Sequence, residues 1–592
     1  MIGVVQALER CNGVHARGYT FLNGKGPGAD LVLSFHELRR EAMRRAAYLE
    51  AQGLRKGDRL AMVLPDGPDF VPTFLGALWA GIVPVPLYPP LSLGKLDAFM
   101  EALVTILNVA QPKAIATDER VAKILWSAIG KVPSIEKVID AKALAAAPFV
   151  ERPHAGIEDA DTAFLQFTSG STSTPKGVVV THGSLAANCT AIVRDGLQAR
   201  GERDVGVSWL PLYHDMGLIG FVLTPLIEQI SIVYIPTLSF IKNATLWMDT
   251  LSRYKATMTF APNFAYALVT KRAKPEQVAR WDLSQMRVFG CGAEPINPDT
   301  MRAFLKAMEP AGLKPSALLP CYGMAEATLA MAFVGINEPL RTDRIDAHAY
   351  HSAQRATPSV SGELLETVCC GHTFPGHQIS IQDEHGNHQP ERAVGEICFK
   401  GPSVAAGYYN RPDATADSFR AGWLRTGDLG YLAEGELYIS GRLKDILIVN
   451  GRNYYPQRIE WLVDEIPGVR KGSAVVFTRP GKASEEIIVA AETRAPEGLA
   501  AQIKARISEE LQLSVSEVVL VAPGSLPKTS SGKLQRRKTR EQYLNGTLGR
   551  EGVRSLGFNG SRMMVVKHLA LSIVGRARHS ARGLLKRFQK AV

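Results

Sequence analysis

Apolar and polar positions alternate along the first third of the chain with two periods, that of a helix and that of a strand. Residues 35–52 carry Leu and Ala at helical spacing with Arg and Glu between them, which predicts an amphipathic helix. An apolar run at 59–64 predicts a strand, and residues 70–80 predict a second helix. Because strand and helix keep alternating in this way, we expect a doubly wound parallel α/β sheet, whose ligands bind at the carboxyl ends of its strands.

The stretch FTSGSTSTPKGVVVTH, residues 167–182, interrupts this pattern with Ser, Thr and Gly between two apolar runs. It predicts a strand, a loop and a second strand, with the loop at the carboxyl end of a sheet strand. Free backbone N–H groups, several hydroxyls and Lys176 form a composition that can enclose a polyphosphate. An ordinary surface turn has the same composition, and the Walker pattern is absent, so the loop alone leaves both interpretations open.

Three later stretches place polar residues next to apolar runs. SWLPLYHDMGLIG, from Ser208, puts His214 and Asp215 on a turn that suits a carboxylate with an apolar tail, or simply a helix start capped by Asp215. RVFGCGAEPI, from Arg287, predicts a strand followed by a Gly-rich turn on which a planar base could lie. In PCYGMAEATLA, Tyr322 could stack on a purine and Glu326 could hold Mg²⁺, although a core Tyr and a helix cap are the commoner roles.

The second half of the chain changes character twice. Residues 378–399 return to short strands of the kind found in a small β-barrel, and the stretch from Leu424 is dense in Gly, Asp and Arg. There Asp428 suits ribose hydroxyls and Arg442 suits a phosphate. Beyond residue 445 the pattern predicts a compact α+β unit that ends in LPKTSSGKLQRRKTR, where Lys533 lies on a loop able to reach an anion, or is one more solvated lysine.

Composition narrows the class of protein. A chain of 592 residues that is 46% hydrophobic and 21% charged predicts a soluble protein with two or more domains. Seven scattered cysteines without zinc-like spacing favour reduced thiols in the cytoplasm, and we expect no transmembrane segment. Residues 546–592 account for +9 of the net charge of +11, so the body of the protein is nearly neutral and nucleic-acid binding is not expected.

The basic tail, residues 546–592, interleaves apolar residues such as Leu569 and Ile573 with Arg and Lys. This pattern is typical of an interfacial amphipathic helix that contacts anionic lipid or an acidic carrier protein. A disordered, solvated tail fits it equally well.

Taken together and in this order, these stretches resemble the adenylate-forming enzymes, which include acyl-CoA synthetases, and among them most closely the fatty acyl-AMP ligases. The resemblance runs to about Tyr543 and implies ATP and Mg²⁺ as cofactors. It implies Lys533, Glu326 and His214 as catalytic residues, Glu326 with Thr168 as metal ligands, and Lys444 as a hinge. The nucleotide would be held by a larger set of residues, namely Thr168, Ser169, Gly170, Ser171, Thr172, Lys176, Gly292, Ala293, Glu294, Tyr322, Gly323, Asp428 and Arg442.

The resemblance also implies a reaction and a domain plan. A fatty acid would be activated to an acyl-adenylate in residues 1–443, and a mobile domain, 444–545, would carry the catalytic lysine. The acyl group would then pass to the phosphopantetheine thiol of an acyl carrier protein, because the long segment after Glu326 is similar to an insertion thought to disfavour CoA. A fatty acyl-CoA ligase is the alternative, and a nucleotide-binding module without catalysis is the alternative of another class.

Two positions depart from the family pattern. Ser173 stands where the family usually has Gly, and Arg458 stands where an acid is commoner. Neither departure removes a catalytic group. We expect a cytoplasmic enzyme, with any membrane contact made by the tail at the inner membrane face.

Overall fold

The computed structural model describes residues 1–24, 28–90, 96–168, 175–449, 452–481, 485–511, 513–529, 532–549 and 567–582. Ser169, Gly170, Ser171, Thr172 and Ser173 therefore lie outside the described residues. The described chain is a mixed α/β protein with a large N-terminal domain and a smaller C-terminal domain, as the alternation of strand and helix predicts.

A nine-stranded sheet forms the centre of the N-terminal domain. Its six middle strands are parallel and its edge strands are antiparallel. The middle strands are almost wholly apolar, as is usual for parallel strands covered by helices on both faces. In spatial order the strands are His372–Thr373, Ala330–Phe333, Leu318–Gly323, Val288–Cys291, Met258–Ala261, Val205–Ser208, Ser231–Tyr234, Gly18–Phe21 and Leu31–Ser34.

A second, four-stranded parallel sheet lies in the same domain. Its strands, in spatial order, are Val83–Leu87, Arg59–Val63, Ala114–Thr117 and Lys137–Asp140. The strands Thr162–Thr168 and Lys176–Thr181, which flank the Ser/Thr/Gly loop, pair antiparallel with each other and form a separate ribbon. The expected place of this loop, at the end of a parallel-sheet strand, is therefore wrong, because its two flanking apolar runs pair with each other.

Helices cover these sheets, and the two predicted near the N-terminus are present. Phe35–Ala51 begins at Ser34, whose hydroxyl accepts from the Glu37 N–H while the Glu37 carboxylate accepts from the Ser34 N–H at 2.8 Å. This reciprocal cap satisfies two otherwise unpaired donors. The α-helices in the described residues before 550 are Val4–Glu9, Phe35–Ala51, Phe70–Trp79, Leu96–Ala110, Glu119–Ile129, Ala141–Ala146, His182–Thr190, Asp215–Leu218, Thr224–Glu228, Thr237–Lys242, Leu246–Arg253, Asn263–Arg272, Pro275–Val278, Pro298–Met308, Ala347–Ala353, Pro412–Ser418, Pro456–Glu465, Leu499–Leu511 and Arg536–Leu544.

The strands predicted as a small barrel form a five-stranded antiparallel sheet. They are Gln378–Gln382, Gly395–Lys400, Phe419–Arg420, Trp423–Ala433 and Glu436–Arg442. The last two form a hairpin in which Asp428 lies opposite Arg442. The pairing of these two strands therefore fixes the positions of both candidate site residues.

The segment after Glu326, which is only weakly periodic in sequence, is folded. It contributes Ala330–Phe333 to the large sheet and then forms the antiparallel pair Thr342–Asp346 and Leu364–Val368, with the helix Ala347–Ala353 between them. We name residues 342–368 the inserted segment.

The C-terminal domain has its own core. Its three-stranded sheet consists of Val469–Pro480, Glu485–Thr493 and Val515–Val521, and Leu447–Val449 pairs with Arg452–Tyr454 beside it. Ile459, Val463, Val489, Ile503 and Ile507 pack together and are at most 1% exposed. This arrangement matches the α+β unit predicted beyond residue 445.

The basic tail is helical over residues 567–582, which we name the terminal helix. Of the two interpretations of the tail, the helical one is confirmed for residues 567–582 as far as secondary structure is concerned. Within the described ranges, no helix combines the length and the apolar character needed to cross a bilayer.

Burial of His182 predicts acid sensitivity of the N-terminal domain. Burial lowers the pKa of His182 from 6.5 to about 4, so the folded protein keeps the imidazole neutral where the unfolded chain protonates it. Stability is therefore lost as pH falls from 6.5 toward 4, by about 2 kcal/mol at pH 5. We expect His182→Asn to reduce the difference in urea midpoint between pH 7 and pH 5, whereas the exposed His385→Asn should leave it unchanged. An identical pH dependence in His182→Asn and the parent would contradict this.

Candidate active site

A continuous cavity of about 3690 Å³ lies between the two domains. Residues that follow the ends of four strands of the large sheet line it, and three of these stretches were singled out in the sequence. The strands are Val205–Ser208, Val288–Cys291 and Leu318–Gly323, which precede those three stretches, and Met258–Ala261. Carboxyl ends of neighbouring parallel strands meet at one edge of a sheet, which explains why residues so distant in sequence converge here.

Most of the predicted site residues that the structure describes line this one cavity. They are Thr168, Lys176, His214, Ala293, Glu294, Tyr322, Gly323, Glu326, Asp428, Arg442, Lys444 and Lys533. Gly292 supports the turn behind the cavity wall.

The turn at residues 292–294 is shaped by close packing. A Cβ on Gly292 would lie 2.6 Å from the Cys321 Sγ, so only glycine lets the turn approach the neighbouring strand. Ala293 follows with a φ of 69°, in the left-handed region. Glu294 accepts from the Phe264 N–H at 2.9 Å, and burial raises the pKa of its carboxyl. The turn therefore presents mainly backbone and small atoms to the cavity.

Asp428 is the centre of a hydrogen-bonded triplet. The Tyr322 hydroxyl donates to its Oδ2 at 2.8 Å, and the Arg442 Nε donates to its Oδ1 at 3.1 Å. The pKa of Arg442 is raised, chiefly by the charge of Asp428. Each carboxylate oxygen accepts only one of these bonds and retains capacity for a hydroxyl donor. The triplet thus fixes an acceptor at the cavity wall.

A second cluster joins Lys176, Tyr408 and Glu326. The Tyr408 hydroxyl donates to Glu326 Oε1 at 2.7 Å, and the Lys176 Nζ lies 4.5 Å from the centre of the Tyr408 ring. Burial raises the pKa of Glu326. Thr168 faces Lys176 across the ribbon, so the base of the Ser/Thr/Gly loop lies at this cluster.

His214 and Asp215 lie at the start of the short helix Asp215–Leu218. His214 Nδ1 is 2.7 Å from Asp215 Oδ1, and Asp215 Oδ1 also accepts from the Met216 N–H at 2.7 Å. Burial alone would raise the pKa of Asp215, but His214 and then Lys533 outweigh it and hold the pKa at about 2. The predicted helix start is therefore present, but its N-cap residue is His214, whose Nδ1 accepts from the Met216 N–H at 3.4 Å, and not Asp215. The Asp215 carboxylate, in the first turn, also places charge in the cavity.

Lys533 reaches the cavity from the C-terminal domain. Its backbone N–H donates to Thr529 Oγ1 at 3.0 Å, which closes the loop that carries it. Burial lowers the pKa of Lys533, while the charges of Asp215 and Glu294 oppose that effect. The lysine thus faces anionic groups of the N-terminal domain.

Lys444 lies exposed where the five-stranded sheet ends. The next residue, Asp445, pairs with Arg536, which also donates to Glu460 at 2.8 and 2.9 Å. Asp445 is therefore held by the C-terminal domain, whereas Arg442 is held by Asp428. The chain therefore passes from the N-terminal domain to the C-terminal domain between residues 442 and 445.

Part of the cavity wall, within the N-terminal domain, is apolar, and we name it the apolar branch. Gly206 widens it, because a Cβ there would lie 2.5 Å from the Ile232 Cδ1. The apolar side chains that line the branch are Ile192, Val193, Leu197, Phe221, Ile230, Ile232, Met258, Phe260 and Phe333. A chain of methylene groups is the matching chemistry for such a wall.

Sequence reasoning missed three residues that hold the site. Asp66 accepts from the Leu212 N–H at 2.8 Å and from the Thr237 hydroxyl at 2.9 Å, and burial raises its pKa to about 6. Gln166 Nε2 donates to the Tyr213 carbonyl at 3.0 Å, and Tyr408 binds Glu326. Their partners are distant in sequence, so no local spacing could reveal them.

Comparisons with known proteins identify relatives of this chain. A family model described as AMP-binding enzyme matches residues 14–409, and one described as Disco-interacting protein 2-like, AMP domain, matches residues 444–552. A protein named "Putative acyl-CoA synthetase" from Caulobacter vibrioides is 38% identical over 554 residues, covering 90% of this chain and 94% of its own. The medium-chain-fatty-acid–[acyl-carrier-protein] ligase JamA of Moorena producens is 34% identical over 560 residues, covering 90% and 93%. A solved structure from a study of fatty acyl-adenylate ligases of E. coli and L. pneumophila superposes with a TM-score of 0.87 at 34% identity, covering 92% and 98%.

Proposed function

This chain belongs to the AMP-binding enzyme family and is an ATP-dependent, AMP-forming ligase, and from that premise we propose that it activates a fatty acid and passes the acyl group to a carrier protein. The single observation that supports the choice of acid is that the apolar branch lines the same cavity as Lys533, Asp215 and Asp428. A long aliphatic acid fits this shape, with its carboxylate at the polar end.

The proposed first step needs positioning and charge compensation more than a protein nucleophile. A carboxylate oxygen attacks the α-phosphorus of ATP, an oxygen–phosphorus bond forms, and the bond to the leaving pyrophosphate breaks. Because both reactants are anions, Lys533, Arg442 and Lys176 stabilise the charge that develops. In this proposal the turn at 292–294 and Tyr322 hold the adenine, and Asp428 accepts from the ribose hydroxyls.

Magnesium fits the donor set. Glu326 supplies one carboxylate, and among the described residues no group of three or more His, Cys, Asp or Glu could hold a metal ion. Mg²⁺ commonly binds one or two carboxylates together with substrate phosphates, so Glu326 and Thr168 would hold it. When bound, the ion would supply neutralisation of phosphate charge.

ATP–pyrophosphate exchange with a panel of saturated fatty acids tests the proposal. We expect exchange that depends on both Mg²⁺ and the fatty acid. No exchange with any acid of the panel would favour a nucleotide-binding module without catalysis.

Gly206 predicts the chain-length preference. A leucine at 206 would fill the branch beside Ile232, and each methylene of substrate that loses its place costs about 0.8 kcal/mol. We expect Gly206→Leu to lower kcat/KM for long acids at least ten-fold while short acids are activated normally, as measured by pyrophosphate release.

The matched control is Gly156→Leu, at a surface glycine whose added Cβ would contact nothing within 4 Å. Equal loss for short and long acids in Gly206→Leu would show that the branch does not hold the acyl chain.

For the second step we propose that residues 444–545 rotate as a domain about Lys444 and that residues 1–443 stay fixed. The carrier thiol attacks the acyl carbon, the carbon–sulfur bond forms, AMP leaves, and the thiol proton passes to solvent. CoA is the alternative acceptor, which the name of the Caulobacter relative favours. Product analysis with CoA and with a phosphopantetheinylated carrier protein decides between them.

The inserted segment contacts the C-terminal domain at Arg458, one of the two residues that depart from the family pattern. Arg458 Nη1 donates to Glu363 Oε1 at 3.1 Å and Nη2 donates to the Leu364 carbonyl at 3.4 Å. His351 Nδ1 lies 2.6 Å from the Asn453 carbonyl beside them. These contacts support a role of the segment in restraining the domain.

Reversing the charge of Arg458 tests this restraint. A half-exposed ion pair is worth about 0.2–1 kcal/mol, so we expect Arg458→Glu to raise acyl-CoA formation by a few-fold through repulsion from Glu363. The double variant Arg458→Glu with Glu363→Arg should restore the parental ratio of acceptors. An unchanged ratio in the single variant would remove this pair from the proposal.

We propose the cytoplasm as the place of action, where ATP is supplied. All seven cysteines are free thiols in the structure, in keeping with a reducing compartment. The reaction proposed here takes place in the cavity and needs no membrane.

A further inference from the structure

The terminal helix, residues 567–582, docks on the N-terminal domain through small and polar residues. The Ser572 hydroxyl donates to the Ile124 carbonyl at 3.0 Å, and the backbones approach so closely that a Cβ on Gly575 would lie 2.1 Å from the Trp126 carbonyl oxygen. His568 is 4% exposed, and its Nε2 lies 2.7 Å from Asp97 Oδ1. These contacts hold the helix by one defined face.

The opposite face is apolar and points to solvent. Ile573 is 74% exposed and Val574 is 48% exposed. The exposed residues recur at i, i+3, i+4, i+7 and i+11, and they are Ala570, Ile573, Val574, Ala577 and Ala581. A surface helix ordinarily buries its apolar stripe and exposes its polar one, so the amphipathicity of this helix is inverted.

Cations border the apolar face on both sides. Arg576 lies along one edge, with its guanidinium 5.3 Å from the centre of the Trp126 ring, and Lys567, Arg578 and Arg582 lie along the other. Residues 567–582 contain no Asp or Glu. In sequence the same mixture continues through 583–592, which adds two lysines, an arginine, two leucines and a phenylalanine.

We propose that this outer face binds the surface of an anionic phospholipid bilayer, with the terminal helix parallel to the membrane. Exposed aliphatic groups would enter the acyl boundary while the bordering cations meet lipid phosphates. The described helix is only about 24 Å long, too short to cross a bilayer core of about 30 Å.

The face suits lipid better than a protein partner. Protein interfaces are usually anchored by Trp, Tyr or Phe in pockets, and the outer face of residues 567–582 carries no aromatic side chain. An acidic carrier protein would be met by cations alone, which leaves the exposed Ile573 and Val574 without a function. Charge and apolar area together match an anionic bilayer.

The docked face places this membrane contact beside the cavity. Asp97, which binds His568 and pairs with Lys567 at 3.0 Å, begins the helix Leu96–Ala110, whose residues Phe99, Ala102 and Ile106 line the cavity. This step rests on the proposed function, in which the substrate is a fatty acid. The membrane-bound enzyme would then take the fatty acid directly from the lipid bilayer, in which it dissolves.

Co-sedimentation of the full-length protein with vesicles tests the proposal. We expect binding to vesicles of mixed phosphatidylglycerol and phosphatidylcholine at low salt, weaker binding at moderate salt, and little binding to phosphatidylcholine alone. The double variant Ile573→Glu with Val574→Glu should bind at least ten-fold more weakly. The matched control, Ala501→Glu with Gln502→Glu, adds acidic side chains to an exposed helix elsewhere and should bind like the parent.

Several outcomes would overturn the proposal. Equal binding of the double variant and the parent would exclude the outer face. A concentration-dependent dimer in light scattering that the double variant abolishes would assign the face to a second copy of this chain. Loss of carrier-protein binding without loss of vesicle binding would assign it to the carrier. Adenylate formation from a short, water-soluble fatty acid should be unchanged in the double variant, so a failure here is distinguishable from a failure of the proposed function.

Discussion

Replacing Lys533 by alanine is expected to lower the rate of adenylate formation by about 10²–10³-fold, because the loss of one preorganised charge at the reacting centre typically lowers the rate by this factor. Lys533 is the cation that the C-terminal domain brings to Asp215 and Glu294, and burial has already lowered its pKa. Pyrophosphate release under single-turnover conditions measures the step directly. ATP binding, measured by calorimetry, should be retained, since the nucleotide contacts assigned to the N-terminal domain remain.

The matched control for Lys533 is Lys504→Ala in the same domain. Its Nζ donates to the Ser516 carbonyl at 2.8 Å on the exposed helix Leu499–Leu511, away from the cavity, and its loss should leave the rate within two-fold. Near-normal pyrophosphate release by Lys533→Ala would refute the assigned role.

Replacing Asp428 by alanine is expected to lower kcat/KM for ATP by about 10²-fold. A hydrogen bond to a charged acceptor is worth about 1.5–3 kcal/mol, and two ribose hydroxyls would lose theirs. The loss should appear mainly in KM, since the ribose takes no part in bond making. Steady-state kinetics with ATP as the varied substrate measure it.

Tyr322→Phe serves as the comparison for Asp428. It removes one donor to the Asp428 carboxylate and leaves the aromatic ring, so a change of ten-fold or less is expected. A KM for ATP within three-fold of the parent in Asp428→Ala would contradict the ribose assignment. Thermal unfolding should be compared in both variants, because Asp428 is also the partner of Arg442.

Where interactions are local, the sequence predicts them well. The helix Phe35–Ala51 follows from the spacing of its apolar residues. The polar stretches at His214, Glu294 and Glu326 converge because each follows a strand of one parallel sheet, which is a property of the alternation pattern.

Where interactions join distant parts of the chain, the sequence is silent. Tyr408 and Glu326 are 82 positions apart, and nothing in either neighbourhood indicates the hydrogen bond between them. The ribbon Thr162–Thr168 with Lys176–Thr181 was expected in a parallel sheet, because an apolar run does not specify its pairing partner. In the sequence, Arg458 is only a departure from the family pattern that removes no catalytic group. The structure shows that it donates to Glu363 of the inserted segment.

The terminal helix shows the same limit in another form. Its composition predicted amphipathicity, but it could not predict which face docks, because Gly575 and Ser572 form the contact while Ile573 stays outside. Which face docks depends on the helix Glu119–Ile129, because its C-cap residue Gly130 lets the two backbones come into contact.

Because the terminal helix returns to the N-terminal domain, the C-terminal domain is connected to the N-terminal domain at both of its ends. One connection is the peptide at Lys444. The other joins residue 549 to residue 567, and the number of residues between them limits the distance between these two residues to about 60 Å. If the domain rotates about Lys444 as proposed, this length would limit the movement of Lys533 as well as the hinge does. The connection between residues 549 and 567 would then limit the catalytic movement of the C-terminal domain and also link that domain to the proposed membrane contact.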